Sequence, residues 1–360
     1  NTLAVAVDSL KNPESLATRT EVKESAQYLA RDFNHINTQL SEIQRDADFR
    51  ITTKVEEINQ LTKEISGLNQ RIQSVEVTGV SANDERDRRG QLIKQLSEKV
   101  NIRYAEGKGG QLTISAGNTA VLVSGYSQRE IFARATPARE GKAEGNVDIF
   151  YKSTDEGTPL NITNQLTGGE VGGLLQVRDE VCNSYIKNMD DVAFKLAWET
   201  NRAHAKGFDR YGKSGNLIFD MPNEVEGSAF KMKVDAGLIQ DVGKLAAAGA
   251  PGAPGDNRIA NVLSSLQYKH TMDGGTSTFD DFYNSMVGKI GIETQRANSA
   301  AAAQTDSVAQ LKNIRESISG VSLDEETTKM IEFQKTFDAS ARLIRTADEM
   351  MDTVLQLKHM

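Results

Sequence analysis

The 360-residue sequence predicts a mainly α chain, α+β overall: an elongated helical bundle or coiled coil carrying a small antiparallel β subdomain. Three observations predict it. Long segments repeat apolar residues at alternating steps of three and four, the mark of helices that bury one stripe. Residues 101–163 switch to β-branched runs broken by turn residues, which marks strands. Only 38% of the residues are hydrophobic and 6% aromatic, so much of the chain must lie in helices whose outer faces stay wet.

Residues 1–100 read as the long helices of the bundle. After Asn12-Pro13, the residues Val22, Ala26, Leu29, Phe33, Ile36, Leu40, Ile43 and Ala47 form a heptad seam. Ala47, Ile51 and Val55 then follow at steps of four, a stutter that locally unwinds a supercoil, and Ile65, Leu68, Ile72 and Val75 resume the alternation. One rod over 14–75 is about 90 Å long; a break into two antiparallel helices near residues 46–48 satisfies the same pattern. After a loop at 78–84, Leu92, Ile93 and Leu96 mark a shorter helix to Val100.

Residues 101–163 read as an antiparallel β unit, with Gly117-Asn118 turning a hairpin and "ATPAREGKAEGN" as a mobile loop. Residues 164–220 return to the bundle: Val171, Leu174, Val181, Tyr185, Met189, Val192, Leu196 and Ala203 share a helix face that ends in a glycine-rich corner, "AKGFDRYGKSGNLIFD". Residues 221–276 form a short inserted segment whose "AAAGAPGAPGDN" is the most linker-like stretch in the chain. Residues 277–319 are a return helix of the bundle, with Phe279, Phe282, Met286 and Ile290 on its strong face and small residues in its middle. Residues 320–360 hold a final helix. Ser322 and Glu325 make a capping box, and Met330, Phe333, Phe337, Ala341, Ile344, Ala347, Met351 and Val354 form an apolar stripe. A stripe of that strength near a chain end asks for a partner.

The formal net charge is -8, with 42 basic and 50 acidic residues interspersed, so no basic surface for nucleic acid is expected. No apolar run is long enough to span a membrane. The single cysteine, Cys182, excludes an intramolecular disulfide and reads as a small buried apolar residue. The chain opens on Asn1 without an initiator methionine or a signal peptide, and so reads as a fragment or a processed form.

The chain offers few candidate catalytic constellations. The histidines His35, His204, His270 and His359 are scattered, without the spacing of a zinc site. "GGEVGG" lacks the Lys-Ser/Thr of a phosphate loop and reads as a turn before a helix. Asp280 and Asp281 lack the alternating oxygen ligands of a calcium loop. Arg178-Asp179 reads as a helix-surface or intersubunit ion pair. His204 and Asp209 admit two readings, a metal or acid–base pair, or a polar corner in which Asn201 and His204 bond loop backbone; the second is the simpler. No cofactor, no metal and no enzyme activity are expected.

Several motifs carry a resemblance. "SISGVSLDEETTKMIEFQKTFDASARLIRTADEMMDTVLQL" resembles the C-terminal signature of flagellar rod, hook and hook-associated proteins, through residues 320–326, Gln334, Ala339, Ala341 and residues 346–351. "RDRRGQLIKQLSEKVNI", "GGEVGGLLQVRDEV", "NRAHAKGFDRYGKSGNLIF", "PGDNRIANVLSSLQ" and "FDDFYNSMVGKIG" follow in the order of the hook–filament junction subgroup of that axial family. Two features depart from it. The family begins with a further N-terminal helical segment that pairs with the C-terminal helix, and many members insert a sizeable β domain after the "NLIF" position.

The resemblance implies a structural subunit of the bacterial flagellum, exported by the flagellar type III route and extracellular. Its implied partners are other copies of itself in a ring, the hook protein, a second hook-associated junction protein, and an export chaperone on the C-terminal helix. The rival reading is a coiled-coil binding module such as a secretion-needle tip or a signalling rod, which needs neither the β unit nor the glycine-rich corner. A hydrolase using His204 and Asp209 requires a cleft around them.

Overall fold

The computed structural model describes residues 2–137, 145–154, 156–253, 255–319 and 323–357. The chain divides into two units, Asn1–Asn284 and Ser285–Met360.

The first unit is built on one helix. A short α1 (Thr2–Asp8) precedes α2 (Leu16–Glu76), which runs unbroken for 61 residues, its first turn capped by the Ser15 hydroxyl. The break allowed near residues 46–48 does not occur. Asp48 keeps its backbone helical and spends its carboxylate on tertiary bonds, accepting from the Val147 amide at 3.1 Å and the Asn146 side chain at 2.9 Å.

The buried stripe of α2 differs from the expected seam in the helix's first half. Ala30, Asn37 and Gln44 are buried, whereas Leu29, Ile36 and Leu40 are only partly covered and Ile43 is exposed. The helix is rotated toward partners that Gln44 finds on its inner side. The Gln44 amide donates to the Arg178 carbonyl at 3.0 Å and to Asn183 Oδ1 at 2.6 Å, bonds that compensate burying a primary amide.

Helix α3 (Asn83–Lys99) lays Leu92 and Leu96 against Ile65 and Leu68 of α2. Two antiparallel sheets follow. The first is a meander of β1 (Ile102–Glu106), β2 (Leu112–Ala116), β3 (Ala120–Ser124) and β4 (Ser127–Gln128), in that order. The second runs β5 (Ile131–Ala135), β6 (Val147–Tyr151) and β7 (Leu160–Asn161). Leu112, Ile114, Leu122, Ile131 and Ile149 share one core with Ile51, Val55 and Ile58 of α2, so the sheets do not bury a core of their own. Along β5, the Asn59 side chain of α2 takes both backbone groups of Ile131, donating to its carbonyl at 2.7 Å and accepting from its amide at 3.0 Å.

Helix α4 (Gly169–Gln176) passes through one wide π turn, Val177–Cys182, into α5 (Asn183–His204). The glycines before α4 serve close packing. Gly169 has φ +70°, and a Cβ there would lie 2.6 Å from the Val100 amide nitrogen. Short helices α6 (Ser228–Lys231), α7 (Ala236–Gln240) and α8 (Arg258–Ser265) complete the insert. The stretch read as a linker is partly core: Ala246, Ala247 and Ala248 are buried, and Ala248 pairs with Phe208 through backbone bonds. Small side chains let the segment lie close to α5, which the same alanines disguise as low complexity.

Helix α9 (Phe279–Ser319) crosses from the first unit into the second, which also holds α10 (Leu323–Leu357). One of the two acids at its start, Asp281, completes a cap. Thr278 Oγ1 accepts from the Asp281 amide at 3.1 Å, while the Asp281 carboxylate accepts from Thr278 Oγ1 at 2.7 Å.

Candidate functional site

Three places follow from the residues singled out above: the corner after α5, the knot at the π turn, and the stripe on α10.

In the corner, Asn201, His204 and Asp209 are brought together and all three are buried. Each works on backbone. Asn201 Oδ1 accepts from the amides of Ile218 and Phe219 at 3.0 Å each, and its Nδ2 donates to the Phe219 carbonyl at 2.8 Å. Asp209 Oδ1 accepts from the amides of Tyr211 and Lys213 at 2.8 Å, and its Oδ2 accepts from Asn216 Nδ2 at 2.9 Å. His204 lies 2.8 Å from the Asn216 carbonyl through Nδ1 and 2.7 Å from the Ala246 amide through Nε2. A carbonyl can only accept and an amide N–H only donate, so Nδ1 carries the proton and Nε2 is bare. Burial lowers the His204 pKa to about 4, the Asn216 hydrogen bond opposing and the nearby Arg19 charge adding to the shift. Arg19, buried on α2, donates from Nε to the Pro13 carbonyl at 2.7 Å and from Nη1 to the Leu245 carbonyl.

These contacts are those of a polar corner. Both imidazole nitrogens are committed to main chain and none of the ring meets solvent, so His204 cannot reach a substrate. Among the described residues no group of three His, Cys, Asp or Glu side chains is placed to hold a metal ion. No helix of the described residues is long and apolar enough to cross a membrane.

At the π turn, Arg178 is wholly buried rather than on a helix surface. Its Nε and Nη2 donate to the two Asp179 oxygens at 2.7 and 2.9 Å, and its Nη1 donates to Asp48 and, at 2.7 Å, to the Val147 carbonyl. Burial works against the charge, but Asp179 and Asp48 outweigh it and hold the guanidinium pKa above its usual value. The knot ties α2, the start of β6 and the π turn within one chain. Sequence reading missed it because nothing in the spacing of Asp48 and Arg178 announces their meeting. Cys182 closes the same turn; burial raises its thiol pKa, which leaves it unreactive.

On α10, Met330, Phe333, Phe337 and Ile344 are exposed, Phe333 by 75% and Phe337 by 74%, and Ala341 is half-buried. Their steps of three, four, four and three residues place them on one helix face. Ile331, Leu343 and Met350 are exposed as well. Ser322 lies outside the described residues, as do the side chains of Glu325, Met351 and Val354, so the expected capping box falls there too. Isolated exposed apolar residues are ordinary; here the large ones form a ladder along one helix.

The family described as flagellar hook-associated protein FlgK helical domain matches residues 3–219, and the family described as flagellar basal body rod FlgEFG protein C-terminal matches residues 316–357. Among curated proteins, the flagellar hook-associated protein 1 of Bacillus subtilis is 27% identical over 96% of this chain and 72% of its own length. Its namesake in Escherichia coli is 24% identical over 97% of this chain and 78% of its own. Among solved structures, the flagellar hook junction protein FlgK from Burkholderia pseudomallei shares the fold with a TM-score of 0.78, at 16% identity, over 88% of this chain and 93% of that one.

Proposed function

Because this chain belongs to the family of the flagellar hook-associated protein FlgK, we infer that it is a structural subunit of the bacterial flagellum at the junction between hook and filament. It is an extracellular protein of the assembled flagellum, and it works by binding other flagellar components. Its relatives are structural proteins, and the reading assigns this chain no catalysis.

The finer proposal concerns how it assembles. The apolar face of α10 is the assembly element, with Met330, Phe333, Phe337, Ala341, Ile344, Met351 and Val354 buried between subunits in the finished structure. The observation that carries this is the exposure of Phe333 and Phe337 in the segment that matches the axial C-terminal family. Burying such side chains contributes roughly 1.5–3 kcal/mol each before ordering costs. The occupants are other copies of the chain in a ring, with hook protein on one side and a second hook-associated junction protein on the other. Before assembly an export chaperone covers the same face.

Deletion of residues 322–360, or the single change Phe337→Asp, tests it. Both variants should be exported yet absent from the hook tip, leaving cells without filaments and unable to swim. Normal filaments with either variant present at the junction, seen by immunoelectron microscopy, refute the assignment.

A further inference from the structure

The residues from Asp241 to Ala248 are held to the helices by a histidine that has no room for a second proton. We propose that the corner is an acid-released latch: proton uptake by His204 frees residues 241–248 from α5 and α2 while the shared core of helices and sheets stays folded.

The geometry leaves the incoming proton one place to go. Nδ1 already carries a proton, given to the Asn216 carbonyl, so the new one must bond to Nε2. There it faces the Ala246 N–H, and a contact of 2.7 Å between donor and acceptor becomes one between two donors. The ring must turn or the segment must leave. The charges acting on the ring come from three elements: Arg19 of α2, Asp209 of the loop after α5, and Asp235 ahead of α7. Arg19 opposes a second cation. Asp209 and Asp235 favour the charged ring, but burial and Arg19 prevail, and the acids already accept elsewhere: Asp209 from the Tyr211, Lys213 and Asn216 donors, and Asp235 Oδ1 from the amides of Gly237 and Leu238.

Linkage then sets the direction. The ring stays neutral in the folded corner down to about pH 4, while an unfolded histidine takes its proton near 6.5. The hold of His204 is therefore complete above pH 6.5 and weakens steadily as pH falls from 6.5 to 4.

Release stays local because the attachments of the segment gather largely at one place. They include Ala246 to His204, the Gly243 carbonyl to Arg19 and the Arg210 amide, the Leu245 carbonyl to Arg19, the Lys244 carbonyl to Asn216, the Ala247 carbonyl to the Ile259 amide, and the backbone pairing of Ala248 with Phe208. The core around Ile51, Leu92 and Ile149 contains no histidine. His35 and His270 are exposed and lie outside that core.

Hydrogen exchange on the full chain tests the latch, comparing peptides at about pH 7 and about pH 4.5 after correction for intrinsic exchange rates. Peptides over 241–248 and 214–219 should lose at least about tenfold protection at the lower pH, while those over 51–72 keep theirs. His204→Gln, whose amide can donate to Asn216 and accept from Ala246 at any pH, should abolish the difference. Unchanged protection of 241–248 in the wild type, or an equal loss in the variant, overturns the proposal. Should the variant fail to hold the corner at neutral pH, the wild-type ring is followed by NMR. Protonation of His204 in step with shifts of the Ala246 amide supports the latch. Protonation in the ordinary histidine range with that amide unmoved overturns it.

Discussion

Replacing Arg178 by methionine removes a buried cation while keeping the shape of its stem. Four hydrogen bonds go with it: two to Asp179, one to Asp48 and one to the Val147 carbonyl. Asp48, its side chain 14% exposed, keeps only neutral donors, the Asn146 side chain and the Val147 amide. Breaking a buried pair by deleting one partner costs about 3–5 kcal/mol, because the other charge stays behind unpaired. Asp179 recovers some hydration, its side chain being 22% exposed, which places the expected loss near the low end, about 3 kcal/mol. The double variant Arg178→Met with Asp48→Asn removes the stranded charge and should be more stable than Arg178→Met alone by more than about 1 kcal/mol. Urea unfolding of the full chain by circular dichroism measures both, with an unchanged denaturant slope as the control that the unfolded state is the same. A loss below about 1 kcal/mol for the single variant, or no recovery in the double, refutes the keystone role given to Arg178.

Three further outcomes follow from the polar contacts. His204→Ala leaves the Asn216 carbonyl and the Ala246 amide unpaired and should cost about 2 kcal/mol at neutral pH. In the wild type, the His204 contribution to unfolding free energy should fall by about 3 kcal/mol as pH drops from 6.5 to 4 and stay flat above 6.5, read from urea titrations at each pH. Lys99→Met breaks contacts with Glu57 at 3.0 Å and Glu170 at 2.9 Å, which raise the lysine pKa. These groups are partly wet, so the change should cost under about 1 kcal/mol and less still in high salt; a larger, salt-independent loss contradicts the reading.

What the sequence showed of this fold were features written in local spacing. The long helices, the switch to strands from Ile102 and the final helix are all written in repeats within a few residues, and each stands in the structure, although the buried stripe of α2 is rotated from the expected seam in its first half. Features missed were those that depend on a distant partner. Gln44 looks like a surface residue until Arg178 and Asn183 arrive on α5's approach, and then α2 rotates to bury it. The π turn has no composition of its own; it is visible only as the Arg178 carbonyl given to Gln44. The alanines 246–248 look like a linker because the reason for their small size, the close approach of His204 and Phe208, lies some forty residues earlier. By contrast, the Thr278 and Asp281 cap is readable in the sequence as a Thr-x-x-Asp pattern, although the adjacent acids first invite comparison with a calcium loop. Asn201, His204 and Asp209 were legible as a corner because the glycines around them demand side-chain caps for loop backbone.

The continuity of α2 has a mechanical consequence. Three anchorages sit on this one helix: Arg19 at the corner, Asp48 at the knot, and Asn69, which donates to the Leu112 and Gly125 carbonyls of the first sheet. Along the axis they are spaced by about 44 Å and about 32 Å, at 1.5 Å per residue. No loop lies between them to stretch or fold. A load arriving at one anchorage is passed to the others along an unbroken ladder of peptide hydrogen bonds. The first unit therefore resists tension and twist as a stiff strut, and compliance has to come from the loops and side-chain contacts around α2.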